Sequence, residues 1–277
     1  MGSSFSADGR RRHHQPYHCG MTSAGAASTD TGTTSTTTGR VLWVTGGGSG
    51  MGAAAARTAA ATGWTVVLSG RRADRLEQVA AEVRAAGGAA DVLPLDAGDP
   101  EAVTTAARTI AERHGRLDGL VLAAGLNTPA RRWDDQSMAD VRAVLDTNLT
   151  AVLSVVDAAL PALRTSPTGG VVVVVSSYAG WSFQPGAGVA YSASKTALGS
   201  VVRGLNQQEA PHGVRATHLC PGDVATDFLD QRPQVPDAAA RAVMLTPEDI
   251  GRTIGFVLDA PAHVRVDELV ISPVAQR

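Results

Sequence analysis

A glycine-rich turn set between a short apolar run and an alanine-rich stretch constrains this chain more than any other feature. Val41-Leu42-Trp43-Val44 runs into Thr45-Gly46-Gly47-Gly48-Ser49-Gly50-Met51-Gly52, and Ala53-Ala54-Ala55-Ala56 follows. The glycines permit a tight turn and close approach of backbone to a phosphate. The helix that the alanines begin would then aim free N–H groups at that phosphate. A glycine-rich turn alone is a weak signal. Its place between a first strand and a first helix makes it a dinucleotide cradle.

The rest of the chain repeats the same alternation. Short β-branched runs recur at Val41–Val44, Thr65–Leu68, Val92–Leu95, Leu120–Leu122, Val171–Val175, Arg215–Leu219 and Glu268–Ile271. Between them lie stretches of helical period: Met51–Ala61, Ala73–Ala86, Pro100–His114, Ser137–Leu163, Ala190–Ala210 and Pro247–Leu258. The run Val171–Val175 is continuously apolar, which fits a strand buried on both faces. Strand–helix repetition predicts an α/β fold: a doubly wound parallel sheet of about seven strands, of the Rossmann type, with helices on both faces. An eight-fold barrel needs more repeats than the chain contains.

Composition narrows the function classes. The formal net charge is -2 with 44% hydrophobic residues. That supplies a sizeable core and offers no basic footprint, so neither nucleic acid nor a membrane surface is expected as a partner. No run of about 18 unbroken apolar residues occurs, so no bilayer-spanning segment is expected. Cys19 and Cys220 fit no zinc spacing and no disulfide framework, and a reducing, cytoplasmic setting is the simplest reading. Residues 1–39 form a polar, Ser/Thr-rich extension in which 11 of the 17 residues from Thr22 to Thr38 are Ser or Thr. Such a segment buries too little apolar surface to offset its ordering entropy, so disorder is expected there, or a true start at Met21. A transit peptide is the other reading of its basic, acid-poor character. Residues 40–277 are read as one domain.

Two further sites carry chemistry. The second strand ends in Gly70-Arg71-Arg72, where a dinucleotide site that prefers NAD would place a carboxylate for the ribose hydroxyls. Arginines there would pair instead with a 2′-phosphate, which favours NADP; their alternative role is as solvated residues opening a helix. The chain also holds a single lysine, Lys195, four residues after Tyr191. That spacing puts both on one helix face. An ammonium beside a phenol favours the phenolate, and a tyrosine moved from about 10 toward 7 can act as general acid or base.

These features together resemble the short-chain dehydrogenase/reductase family, over nearly all of the chain from Arg40. The turn from Thr45 to Gly52 matches that family's cofactor turn, with Thr45, Gly46, Gly48, Ser49, Gly50, Met51 and Gly52 as its residues. The resemblance implies that Asp96, with Ala97, holds the adenine, that Ala124 and Gly125 line the cofactor, and that Pro221, Gly222, Val224 and Thr226 form the loop around the nicotinamide carboxamide. It also implies a catalytic set of Asn148, Ser177, Tyr191 and Lys195. In that set Ser177 holds the substrate oxygen, Tyr191 transfers the proton, Lys195 binds the nicotinamide ribose, and Asn148 holds a water leading to solvent. Asn148 alone has a second reading as a helix-kink residue, and Ser176 competes with Ser177 for the active hydroxyl. Two departures stand out. The family's Asn-Asn-Ala-Gly reads Leu122-Ala123-Ala124-Gly125, and the C-terminus lacks a glycine-rich ending.

The expected activity is hydride transfer between NADP(H), rather than NAD, and a small carbonyl or alcohol. The competing readings are a non-catalytic NADP-binding redox sensor and an NAD-dependent alcohol dehydrogenase. The segment Ala225 to Leu245 is expected to cover the substrate, with Trp133 and Trp181 as possible walls and Tyr178 as wall or packing. No arginine stands in a pattern that marks a carboxylate substrate, so the substrate stays open. The apolar faces of Ser137–Leu163 and Ala190–Ala210 are consistent with a homodimer or homotetramer and equally with core burial. No metal site is expected.

Overall fold

A computed structural model describes residues 39–276. The expectations for the extension and for Cys19 fall on residues outside that range. Seven parallel strands form one sheet in the order β3-β2-β1-β4-β5-β6-β7. They are β1 (Val41–Thr45), β2 (Thr65–Gly70), β3 (Ala89–Pro94), β4 (Gly119–Leu122), β5 (Val171–Val175), β6 (Arg215–Pro221) and β7 (Glu268–Ile271). Strand order reverses between β1 and β4, which opens a crevice at the carboxyl ends of the strands.

Alternation along the strands sends side chains into two separate cores. Leu42 and Val44 pack with α1 (Gly50–Ala61), α2 (Ala73–Ala85) and α9 (Pro247–Leu258). Val41 and Trp43 pack on the opposite face with α3 (Pro100–His114), α5 (Ala151–Leu163) and α7 (Val189–Gln208). The helices α4 (Met138–Leu145), α6 (Tyr178–Trp181) and α8 (Ala238–Ala242) complete the set. Small residues let α9 lie close on α1: a Cβ on Gly251 would stand 2.9 Å from the Ala54 carbonyl oxygen.

Two elements differ from the sequence reading. β3 begins at Ala89 rather than Val92, because pairing with β2 from Thr65 onward recruits two alanines of weak strand preference. The long apolar helix read from Ser137 to Leu163 is interrupted by a π turn at Asp146–Thr150. This rod, Met138–Leu163, is long and apolar enough to cross a membrane by length and composition. Its buried residues Val152, Val155, Val156, Ala159 and Leu163 instead belong to the second core, so it reads as a core helix.

Leu122-Ala123-Ala124-Gly125 lacks the family's asparagines, and a polar anchor stands at the other end of β4. Asp118 is fully buried and accepts from Arg116 Nε at 2.7 Å, from Arg116 Nη2 at 2.8 Å, from Ser166 Oγ at 2.6 Å and from the Val41 N–H at 2.8 Å. Burial pushes its carboxyl up, but these donors outweigh it and hold the pKa below the usual range. The network ties the start of β1 to the start of β4.

Candidate active site

The glycine turn leaves β1 at the point where strand order reverses. Gly46 has a φ of 69°, and a Cβ there would lie 2.6 Å from the Ala124 amide nitrogen. Only glycine fits, and the turn therefore lies directly against the strand end that carries Ala124 and Gly125. Gly50 has a φ of 52° and faces Thr226, whose Cγ2 would be 3.3 Å from a Cβ at that position. The turn thus lies beside the Pro221–Thr226 loop. That loop is tied down by its own bonds: the Gly222 N–H donates to Ile271 O at 2.7 Å, and the Ala225 N–H to Leu245 O at 2.8 Å.

The first turn of α1 contains no acidic residue, and Ser49 makes no side-chain cap to it. A helix start without a carboxylate or a cap suits a pyrophosphate, so the donor set fits a dinucleotide. Arg72 stands at the rim, with Nη2 3.4 Å from Ser49 Oγ, and Arg71 is exposed beside it. Asp96 is exposed just past β3, its Oδ1 accepting from the Gly98 N–H at 2.9 Å, and Ala97 is half-buried next to it.

Across the crevice, the four expected catalytic residues come from three elements. Asn148 sits in the π turn and is fully buried. Its Oδ1 accepts from the Leu126 N–H at 2.7 Å, while Nδ2 donates to Leu126 O at 2.9 Å and to Ser194 Oγ at 3.1 Å. Asn148 thus lies in the helix irregularity, as its reading as a kink residue expects. A Cβ on Gly125 would be 3.7 Å from Asn148 Oδ1 and 3.8 Å from Lys195 Nζ. Lys195 is buried in α7 and donates from Nζ to Val175 O at 3.0 Å, at the end of β5. Its ammonium lies 5.8 Å from the centroid of the Tyr191 ring.

The two serines separate cleanly. Ser176 is buried and its Oγ donates to Lys195 O at 2.9 Å, so that hydroxyl is used in packing. Ser177 caps α6, accepting from the Ala179 N–H at 3.2 Å, and also reaches the Tyr191 phenol. Gly180 makes this possible. A Cβ there would come within 2.5 Å of Ser176 Oγ and 2.7 Å of Lys195 O. That requirement is not legible along the chain, nor is the part played by Ser194, which accepts from Asn148 Nδ2 on one side and donates to Tyr191 O at 2.7 Å on the other.

Electrostatics follow from burial. Burial lowers the Lys195 pKa to about 8. Burial also pushes the Tyr191 phenol above its ordinary value, while the Ser177 hydroxyl and the charges of Arg131 and Arg232 pull it back. The cations acting on Tyr191 are therefore two arginines that the sequence did not single out for this site. Cys220 lies beneath, its thiol pushed up to about 12 by burial, so it is not a ready nucleophile. It clusters with His218 and Glu268, and His218 Nδ1 meets Glu268 Oε2 at 3.1 Å, a hydrogen bond across β6 and β7.

One residue of the segment Ala225 to Leu245 meets Tyr191 directly. The Phe228 ring centroid is 6.1 Å from that of Tyr191, and Leu229 is buried. Trp133 and Trp181 differ from expectation: they are 81% and 50% exposed, so neither is enclosed in a wall. Trp181 rests edge-on against Tyr178 at 5.2 Å. Both stand on loops or a single helical turn that lack a facing element to pack them.

Residues 40–236 match the family model described as short chain dehydrogenase. The chain is 33% identical over 241 residues to the sulfoacetaldehyde reductase 2 of Chromohalobacter salexigens, covering 85% of this chain and 95% of that protein. Among solved structures, the alcohol dehydrogenase from the archaeon Thermococcus sibiricus, complexed with 5-hydroxy-NADP, superposes with a TM-score of 0.77 at 31% identity, covering 86% of this chain and 98% of that one. A serine dehydrogenase complexed with NADP+ superposes equally well, at 28% identity over 86% of this chain and 96% of that one. Sheet order, crevice and sequence agree, and the chain belongs to the short-chain dehydrogenase/reductase family of oxidoreductases.

Proposed function

We propose that the protein is an NADP-dependent reductase of small carbonyl compounds, or dehydrogenase of the matching alcohols, with Tyr191 as the group that moves the proton. One observation carries this reading: the Tyr191 phenol lies beside the Ser177 hydroxyl and on the same helix face as the buried Lys195, in the crevice that also holds the glycine turn. When bound, the nicotinamide supplies or accepts the hydride. Ser177 then donates a hydrogen bond to the substrate oxygen and holds it at Tyr191. Tyr191 gives its proton to that oxygen during reduction and takes it back during oxidation. The charges of Arg131 and Arg232 favour the phenolate that results, and Lys195, fixed by Val175 O, binds the nicotinamide ribose. Asn148 keeps the loop after β4 in place through both bonds to Leu126.

NADP rather than NAD is supported by Arg71 and Arg72 at the rim of the turn and by the NADP named with the solved relatives. Asp96 and Ala97 flank the adenine in this reading, and Val224 and Thr226 the carboxamide. A homodimer or homotetramer and a cytoplasmic setting complete the proposal.

The test is NADPH and NADH consumption over a panel of aldehydes, ketones and diketones, with Tyr191→Phe alongside. Turnover with NADPH, falling by about 10²- to 10⁴-fold in the variant, is the expected outcome. NADPH binding with no turnover of any carbonyl or alcohol would replace the reading with a redox sensor. A preference for NADH would replace it with an NAD-dependent dehydrogenase.

A further inference from the structure

We propose that the substrate of this site bears an oxyanion group, a carboxylate or sulfonate, near its reacting carbon, and that Arg131 receives it. The proposal rests on the reductase reading above and adds the substrate class to it.

Arg131 lies on the loop after β4 and is only 8% exposed. Its guanidinium donates from Nε to Thr128 O at 2.7 Å, from Nη1 to Gly186 O at 3.4 Å, and from Nη2 to Gln231 O. Every one of these acceptors is a neutral backbone carbonyl. Among the described residues no carboxylate pairs with Arg131. The nearest acids that act on it or share its recess are Asp135 and Asp140. Both are engaged elsewhere: Asp135 Oδ1 accepts from the Arg132 N–H at 2.7 Å, and Asp140 Oδ2 accepts from Ser137 Oγ at 2.8 Å. Both are also exposed or nearly so, where solvent screens their charge.

A buried cation without a counter-charge is costly, and carbonyl dipoles solvate it without neutralising it. A mere clip between three loops could be made from a neutral amide donor at less cost. Here a full charge is kept, and it acts on the Tyr191 phenol. Arg131 lines the same small recess as Tyr191, together with Asn127, Thr128 and Gly188, and its charge reaches the Tyr191 phenol. Three of its five N–H groups are engaged, which leaves two for an oxyanion. Arg232 adds a second cation from the covering segment, but Asp223 pairs with it, so Arg131 carries the uncompensated charge. Lys195 is a third cation below. The site is positive on the side where substrate must lie, and planar bidentate recognition of carboxylate or sulfonate is what a guanidinium supplies.

The experiment compares kcat/KM for matched pairs with NADPH: 4-oxobutanoate against butanal, and 2-oxoethanesulfonate against propanal. The wild-type protein is expected to prefer at least one anionic member by about 10- to 100-fold, chiefly through KM. The two pairs show whether carboxylate or sulfonate fits better. In Arg131→Met the anion-to-neutral ratio should collapse toward one, and Arg131→Lys should restore part of it. Equal use of neutral and anionic members by the wild type would overturn the proposal, and this arm needs no variant to fold. An equal loss for both members in Arg131→Met would also overturn it, leaving Arg131 as a loop clip. Should the wild type reduce no carbonyl at all, the reductase reading fails by itself. The oxyanion receptor is then judged by calorimetric titration of succinate and ethanesulfonate into the NADP-loaded protein. Heat that disappears in Arg131→Met sustains the receptor, and its absence in the wild type overturns it.

Discussion

Lys195 shows what a single buried charge does to a small protein's energetics. Its pKa falls from the usual 10.5 to about 8 on folding, because burial disfavours the ammonium. The folded chain therefore holds this proton less tightly than the unfolded chain. Below pH 8 both states carry the charge and the native state bears a cost of about 3 kcal/mol. As pH rises from 8 toward 10.5, the folded lysine releases its proton while the unfolded one keeps it, and the cost is relieved. Urea titrations of wild type and Lys195→Met at pH 7.5 and pH 10 should show wild type gaining about 2 kcal/mol on the variant over that interval. A gap that does not move with pH would mean that the ammonium is solvated in the native state. The chemistry at this scale was visible in the sequence only where local spacing expresses it. Tyr191 and Lys195 are one helical turn apart, so their pairing follows from the order of residues. Arg131 draws its meaning from carbonyls 3, 55 and 100 residues away, and nothing in its neighbourhood along the chain announces them.

Elements position the site through contacts at close range. α6 meets α7 at Gly180, where any side chain would run into Ser176 Oγ and the backbone of Lys195. Gly180→Val should force α6 outward and move Ser177 away from Tyr191. The expected cost is about 1–3 kcal/mol in chemical denaturation, with a fall in kcat larger than any loss of NADP affinity. Cofactor affinity that falls as far as kcat would place the disturbance elsewhere. Strands were readable because β-branched runs are their own signal, and β5 with its five valines needs no context. The start of β3 was not, since Ala89 and Ala90 become strand only by pairing with β2. The π turn was only partly legible: Asn148 could be read as a kink residue, but the bond from the Ala151 N–H to Asp146 O that makes the turn appears only in the folded helix.

At the scale of the whole molecule, the proposed cofactor cradle would join elements far apart in sequence: the turn after β1, the end of β4 and the loop after β6. A ligand that bridges them stabilises the native state alone. NADPH at about 100 times its dissociation constant should add about 2.7 kcal/mol, or a rise of about 5–10 °C in Tm, with NADH giving a smaller shift at equal concentration. Differential scanning fluorimetry reads this directly, and a larger shift with NADH would point away from Arg71 and Arg72 as phosphate ligands. The doubly wound sheet was legible from the alternation of strand and helix. The placement of Trp133 and Trp181 was not, because the segments that carry them have a composition that fits wall and surface alike.

The near-zero clearance between Gly46 and the Ala123–Ala124 backbone has a consequence for how such a protein changes its taste. The turn after β1 and the end of β4 meet there with no room for a side chain, so substitution at that seam has nowhere to go. Novelty must enter from the rim instead, through the stretch after β4 that bears Arg131 and the segment from Ala225 to Leu245. Exchanging those two pieces between relatives would transplant selectivity while leaving the hydride-handling floor intact.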